Sequence, residues 1–109
     1  MQPQRMLKDP KIVELQSAIC KIMSNPRRVQ LLHILETGEK SVGELVELTG
    51  LRKAAVSQNL GLMRGRNLVT ARRDGQKVYY SLRSRRLMTA CASMEELLDE
   101  LLALAPERD

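Results

Sequence analysis

Midway along the chain the spacing of apolar residues changes period, and that change fixes the kind of fold available. As far as Gly65 they recur at helical intervals. Leu68-Val-Thr-Ala-Arg-Arg73 and Lys77-Val-Tyr-Tyr-Ser-Leu82 then read as strands on either side of Asp74-Gly75. Asp-Gly between two such runs is a strong hairpin signal, because glycine tolerates the positive φ of a tight hairpin turn. From Ser84 the helical period returns. The reading is a mainly α chain with a small β-hairpin, in the order ααααββα.

The helices carry their own punctuation. Residues 1–9 read as a mobile polar arm. A first helix starts at Pro10, with Ile12, Val13, Leu15, Ile19, Ile22 and Met23 at helical spacing. Asn25-Pro26 then opens a second helix, since Asn is a good N-cap and Pro suits the first helical position. It carries Val29, Leu31, Leu32, Ile34 and Leu35 and ends near Gly38. Ser41-Val-Gly-Glu44 is a capping box, with the hydroxyl and the carboxylate each meeting a backbone N–H across the first turn. Leu45, Val46 and Leu48 form that third helix's apolar face, and Thr49-Gly50 ends it. A fourth helix spans about 52–65, with Ala55, Val56, Leu60 and Met63 inward. The last carries a stripe of Leu87, Cys91, Met94, Leu98 and Leu101, with Ala90, Leu97 and Leu104 beside it. One domain is therefore expected over residues 10–105, with 106–109 as a tail.

At 109 residues there is no room for a second core. With two Tyr, no Phe and no Trp, the core must be built from Leu, Ile, Val, Met and Ala. A chain this small buries a modest fraction of its surface, so dimerisation through the two apolar terminal helices is a natural supplement. No apolar run approaches a membrane span, and the N-terminus lacks a signal-peptide stretch, so a cytoplasmic location is expected. One His and no Asp/Glu/His cluster make an enzyme improbable, and no cofactor is implied.

Charge is segregated along the chain. Residues 1–50 carry seven Lys/Arg and six Asp/Glu. Residues 51–86 carry ten Lys/Arg against the single acid Asp74, a net +9. Residues 87–109 carry one basic residue and six acids, a net −5. A solvated face normally mixes signs, so a nucleic-acid face explains the basic third better. That third coincides with the fourth helix and the hairpin. Two short helices joined by a tight Gly-containing turn read as helix-turn-helix, the second as recognition helix and the basic hairpin as a wing.

At this point the chain resembles the ArsR/SmtB winged-helix repressors over about residues 15–85. Asn25-Pro-Arg-Arg28, Ser41-Val-Gly-Glu-Leu45, Ala55-Val-Ser-Gln58 with Leu60, and Val78-Tyr-Tyr80 carry the resemblance. It implies a homodimer held by the first and last helices, and binding to a double-stranded operator that weakens when an effector is sensed. The chain departs from the pattern at Arg52-Lys53-Ala54, where the family often has Ser-Gln-Ser, so a capping hydroxyl is lost and two charges appear. Asn59 stands where a His is frequent.

Each candidate contact has a physical role. Gln58 can pair bidentately with adenine in the major groove, and Ser57 can serve bases or phosphate. Arg52 and Lys53 suit phosphate better than bases. Arg64 and Asn59 belong to the same helix. Arg72, Arg73, Gln76 and Lys77 surround the wing tip and should meet the backbone or minor groove; the alternative is a charged edge that blocks strand aggregation. Tyr80 shares a face with Val78 and reads as core, whereas Tyr79 faces the other way. Arg83, Arg85 and Arg86 extend the basic surface or cap the junction to the last helix.

The sensor is less legible. The resemblance implies two kinds of metal site. One needs a Cys-x-Cys pair where Ser41 and Gly43 stand; the other uses positions occupied by Ser84, Arg86, Leu97 and Glu100. No metal site of either kind is expected, and His33 reads as a packed core residue. Cys20 and Cys91 lie on the two terminal helices, which are expected to pack together, and are candidates for a redox or reactive-sulfur pair; the alternative is two hydrophobe-like structural thiols. Family members that sense oxidants use cysteines at the positions of His33 and Asp99 instead. The leading function is thus an effector-released operator-binding repressor. The alternatives are a winged-helix protein-interaction module without specific DNA binding, a metal-responsive repressor with a non-standard site, and a small redox protein lacking a Cys-x-x-Cys motif.

Overall fold

The computed structural model describes residues 9–104. Its elements are α1 (Pro10–Met23), α2 (Pro26–Glu36), β1 (Lys40–Ser41), α3 (Val42–Thr49), α4 (Lys53–Gly65), β2 (Val69–Asp74), β3 (Lys77–Leu82) and α5 (Arg86–Leu104). Residues 1–8 of the expected arm, and the tail with Ala105, lie outside the described residues. Asp9, placed in the arm by the sequence reading, is the N-cap of α1; its carboxylate accepts from the Lys11 and Ile12 amides at 3.1 and 3.4 Å.

The punctuation residues act as their chemistry dictates. Asn25 Oδ1 accepts from the Arg27 amide at 2.9 Å, with Pro26 opening the helix. The Ser41 box is complete: Ser41 Oγ accepts from the Glu44 amide at 3.1 Å, and Glu44 returns the contact to the Ser41 amide at 2.8 Å. Gly50 closes α3 at φ 73°, in the left-handed region that glycine enters without steric cost. Asn67 sits at φ 63° just past α4. There the Asn67 amide donates to the Arg64 carbonyl at 2.9 Å and the Leu68 amide to that of Met63 at 2.9 Å, a Schellman arrangement.

Two features of the sheet differ from the sequence reading. The hairpin gains a third strand: β1 pairs with β3, Lys40 opposite Tyr80 and Ser41 opposite Tyr79, giving the order β1-β3-β2. Two residues are too few to show an alternating pattern. The turn is also displaced by one position. Asp74 pairs with Lys77, so the two-residue loop is Gly75-Gln76, with Gly75 at φ 64°. A positive φ at the first central position is what a type II′ hairpin loop requires of its glycine.

The core gathers one stripe from each helix: Ile22 of α1, Leu31, Leu32 and Leu35 of α2, Leu45 of α3, Val56, Leu60 and Met63 of α4, and Met88 of α5, with Val69 of β2 beneath them. It is wholly aliphatic and methionine, with Tyr80 packed at its edge. Each fully buried Leu contributes about 1.5–3 kcal/mol by leaving water. The burial of Val56, Leu60 and Met63 fixes the rotation of α4 about its axis and decides which of its residues face outward.

Candidate nucleic-acid interface

With that inner face seated, Lys53, Ser57, Gln58 and Arg64 are exposed on α4. Lys53, Ser57 and Arg64 follow one another along one side at intervals of four and seven residues, and Gln58 lies a residue's rotation away. A cleft between α3, α4 and the hairpin is lined by Glu47, Lys53, Ser57, Gln76 and Lys77 among others. It therefore joins two predicted contacts from the recognition helix to two from the wing. Arg64 lies near the other end of α4. Arg73 is exposed on β2 beside the wing tip. Arg52 is the N-cap residue of α4 and supplies no side-chain cap, as the lost hydroxyl implied.

The sequence reading missed Glu47, an acid within this cleft, because it treated α3 only as scaffold. Glu44 lines the same cleft, and the Ser41 backbone N–H holds its carboxyl below the usual carboxylate value of 4.5.

Two of the predicted contacts are held within the protein. Asn59 is half-buried: its Oδ1 accepts from Arg28 Nε at 3.0 Å, and its Nδ2 donates to the Ala55 carbonyl at 2.9 Å. The amide thus ties α4 to the first turn of α2. Arg72 turns back across the sheet. Its Nε and one terminal nitrogen donate to the two oxygens of Glu39 at 2.8 Å each, while its guanidinium carbon lies 4.6 Å from the centre of the Tyr79 ring. The Arg72 hydrogen bonds hold the Glu39 carboxyl below 4.5, and Glu39 in turn raises Arg72 above its ordinary value.

The two sensor candidates differ in exposure. Cys20 is exposed beside a shallow groove with Gln16, Ser17, Lys21 and Ser24, whereas Cys91 is half-buried against the core; both are free thiols. Burial, then Glu95 and Glu36, push the Cys91 thiol above 9.0. His33 is not in the core. It is exposed, with Nδ1 3.8 Å from Glu36 and Nε2 3.6 Å from Glu95 of α5. The neighbouring Leu31, Leu32 and Leu35 fill the inner face of α2, which turns His33 outward. Among the described residues, no group of three or more His, Cys, Asp or Glu is arranged to hold a metal ion, and no helix is long and apolar enough to cross a membrane.

Exposed apolar surface concentrates on the terminal helices. Among the described residues, nine of the eleven exposed large apolar side chains lie on them: Ile12, Val13 and Leu15 of α1, and Met94, Leu97, Leu98, Leu101, Leu102 and Leu104 of α5.

Known proteins share this arrangement. The pattern of the bacterial regulatory protein arsR family matches residues 25–71, from the cap of α2 into β2. The HTH-type transcriptional regulator YgaV of Escherichia coli is 34% identical over 85 residues, spanning 77% of this chain and 86% of that protein. The transcriptional activator HlyU of Vibrio cholerae is 40% identical over 87 residues, spanning 80% of this chain and 77% of its own length. Among solved structures, the homodimeric winged helix-turn-helix DNA-binding domain of a possible ArsR-family regulator from Mycobacterium bovis gives a TM-score of 0.77 at 26% identity, over 94% of each chain. Helix pair, hairpin wing and sequence thus agree, and the chain belongs to the ArsR family of winged helix-turn-helix transcriptional regulators, not to an enzyme family.

Proposed function

We propose that the protein is a repressor that binds a pseudo-palindromic double-stranded operator as a homodimer and is released by an effector. The observation that carries this reading is the cleft in which Lys53 and Ser57 of α4 meet Gln76 and Lys77 of the wing, within a segment of net +9. Gln58 reads base edges, and Ser57 serves a base or a phosphate. Arg52, Lys53, Arg64, Arg73 and Lys77 meet phosphates, with Gln76 at the wing tip. The apolar faces of α1 and α5 support the dimer, and a two-fold pair of recognition helices calls for half-sites about 34 Å apart.

Operator selection from a random duplex library, followed by anisotropy titrations on the selected and a scrambled duplex, tests this reading. Selection of a two-fold-symmetric site bound at least ~1,000-fold above the scrambled duplex is the expected result. Equal, weak binding to both duplexes would favour a protein-interaction module instead.

For the releasing signal, the surroundings of Cys91 favour a packing role. The thiolate is the reactive form, and burial beside two carboxylates disfavours it. Reduced and oxidant- or polysulfide-treated protein should therefore bind the operator alike. A loss of affinity on treatment, removed by Cys20→Ser or Cys91→Ser, would restore the thiol pair as the sensor.

A further inference from the structure

We propose that Arg72 is a positioning residue of the wing: it straps β2 across Tyr79 to Glu39 and so sets the angle at which the hairpin meets DNA. The inference rests on the wing being a DNA contact, as proposed above.

The topology shows why such a strap matters. Strand β3 is central, and Val69, Tyr80 and Leu82 seat the base of the hairpin on the core, but the β1 ladder that steadies the sheet from the side is only two residues long. Strand β2 is the free edge, and Arg73, Gln76 and Lys77 lie at the far end of the hairpin. A small rotation about the short β1–β3 junction would carry those three side chains off the duplex together. The strap spans this junction. Arg72 leaves the edge strand, passes over the ring of its cross-strand partner Tyr79, and reaches Glu39, the residue immediately before β1. Ser81 of β3 adds a 3.4 Å hydrogen bond from its hydroxyl to the same carboxylate.

The chemistry suits a positioning role. Two N–H groups of a planar guanidinium on two oxygens of one carboxylate define a plane as well as a distance, and the ring beneath fixes that plane further. A lysine, with one point charge on a flexible stem, reproduces neither constraint. As an exposed ion pair the contact adds little to global stability, so its consequence is geometric. The same hydrogen bonds engage Nε and one terminal nitrogen, while the other terminal nitrogen lies 3.9 Å from the Asp74 carboxylate.

The two roles give opposite signs in one experiment. Operator affinity is measured by anisotropy across a salt series for wild type, Glu39→Ala, Arg72→Lys, the exchange Glu39→Arg/Arg72→Glu, Arg73→Ala and Lys77→Ala, with melting curves to confirm that each variant is folded. Removing an acid next to a DNA-binding wing should strengthen binding if Arg72 is merely a charge waiting for phosphate. The strap requires the reverse: Glu39→Ala weakens operator binding about fivefold despite its extra positive charge. Arg72→Lys weakens it likewise with net charge unchanged. The exchange variant returns to within about twofold of wild type, because the pair is rebuilt in the opposite sense. Tighter or unchanged binding by Glu39→Ala, or no recovery in the exchange variant, would overturn the strap. Arg73→Ala and Lys77→Ala should each lower the salt slope by about one unit. If those two variants bind like wild type, the wing does not touch DNA, and both the strap and the wing-contact reading fall.

Discussion

Gln58 and Asn59 are adjacent on α4, carry the same functional group and meet different surroundings. Asn59 is half-buried with both ends of its amide engaged, by Arg28 and by the Ala55 carbonyl. Gln58 is exposed, and among the described residues its side chain forms no hydrogen bond. Sequence pattern placed both on the recognition helix, but only packing separates them, because one residue of helical rotation turns a side chain from solvent toward α2. His33 shows the same limit. Its position among Leu31, Leu32 and Leu35 suggested the core, yet α2 buries only the three leucines. Arg72 was read as a contact because its charge is visible in sequence, while its partner Glu39 stands 33 residues away. At this scale the testable residue is Gln58. Gln58→Ala should cost roughly 1–3 kcal/mol on the selected operator and flatten base preference at one position, while affinity for scrambled DNA stays near wild type. An equal loss on both duplexes would mean that Gln58 reads no base.

Among the elements, α3 was the most legible, because a capping box states its own partners. Ser41→Ala should lower stability by about 1 kcal/mol, read as a shift in the urea midpoint with an unchanged slope. The same box gives a pH dependence of fixed sign. The folded-state values of Glu44 and Glu39 lie below 4.5, so the native state holds fewer protons than the unfolded chain in that range. Their contribution is complete above the unfolded value and is lost as the pH falls through the folded ones. The melting temperature should therefore fall below about pH 4.5, and Glu44→Gln should make that fall shallower. Strand β1 and the true hairpin loop were hidden for a different reason. A two-residue strand exists only because β3 offers it a ladder, and Asp-Gly names the neighbourhood of a turn without fixing its register. Asn67 was also passed over, although Asn ranks next to Gly in accepting the left-handed conformation that ends α4.

The described residues form a broad, thin unit, with extents of 49 × 42 × 21 Å and a radius of gyration of 16.6 Å. A compact chain of about 100 residues would be nearer ~13 Å. The apolar surface left on α1 and α5 is what the proposed dimer would bury, so a protomer of that dimer need not be compact alone. Sequence arithmetic pointed there, since both terminal helices carry more apolar residues than one small core can accept. Leu98→Glu should dissociate the dimer at micromolar concentration in light scattering and weaken operator binding by more than ~10-fold, since one half-site then binds without the other. A dimer that survives this change with wild-type affinity would place the interface elsewhere.

The bare start of α4 affects how long the recognition helix stays formed. Helix α3 begins with its first-turn amide held by Ser41, whereas α4 begins at Arg52, whose side chain caps nothing. The amides of Lys53, Ala54 and Ala55 precede the first intrahelical bond, which runs from the Val56 amide to the Arg52 carbonyl at 3.0 Å. In deuterated buffer these three should exchange at nearly the rate of an unfolded chain. The Glu44 amide should persist longer, and those over Leu60 and Met63 longest. The turn of the reading helix that leads into the cleft is then the one held by the fewest bonds, beside a segment whose amides are all engaged.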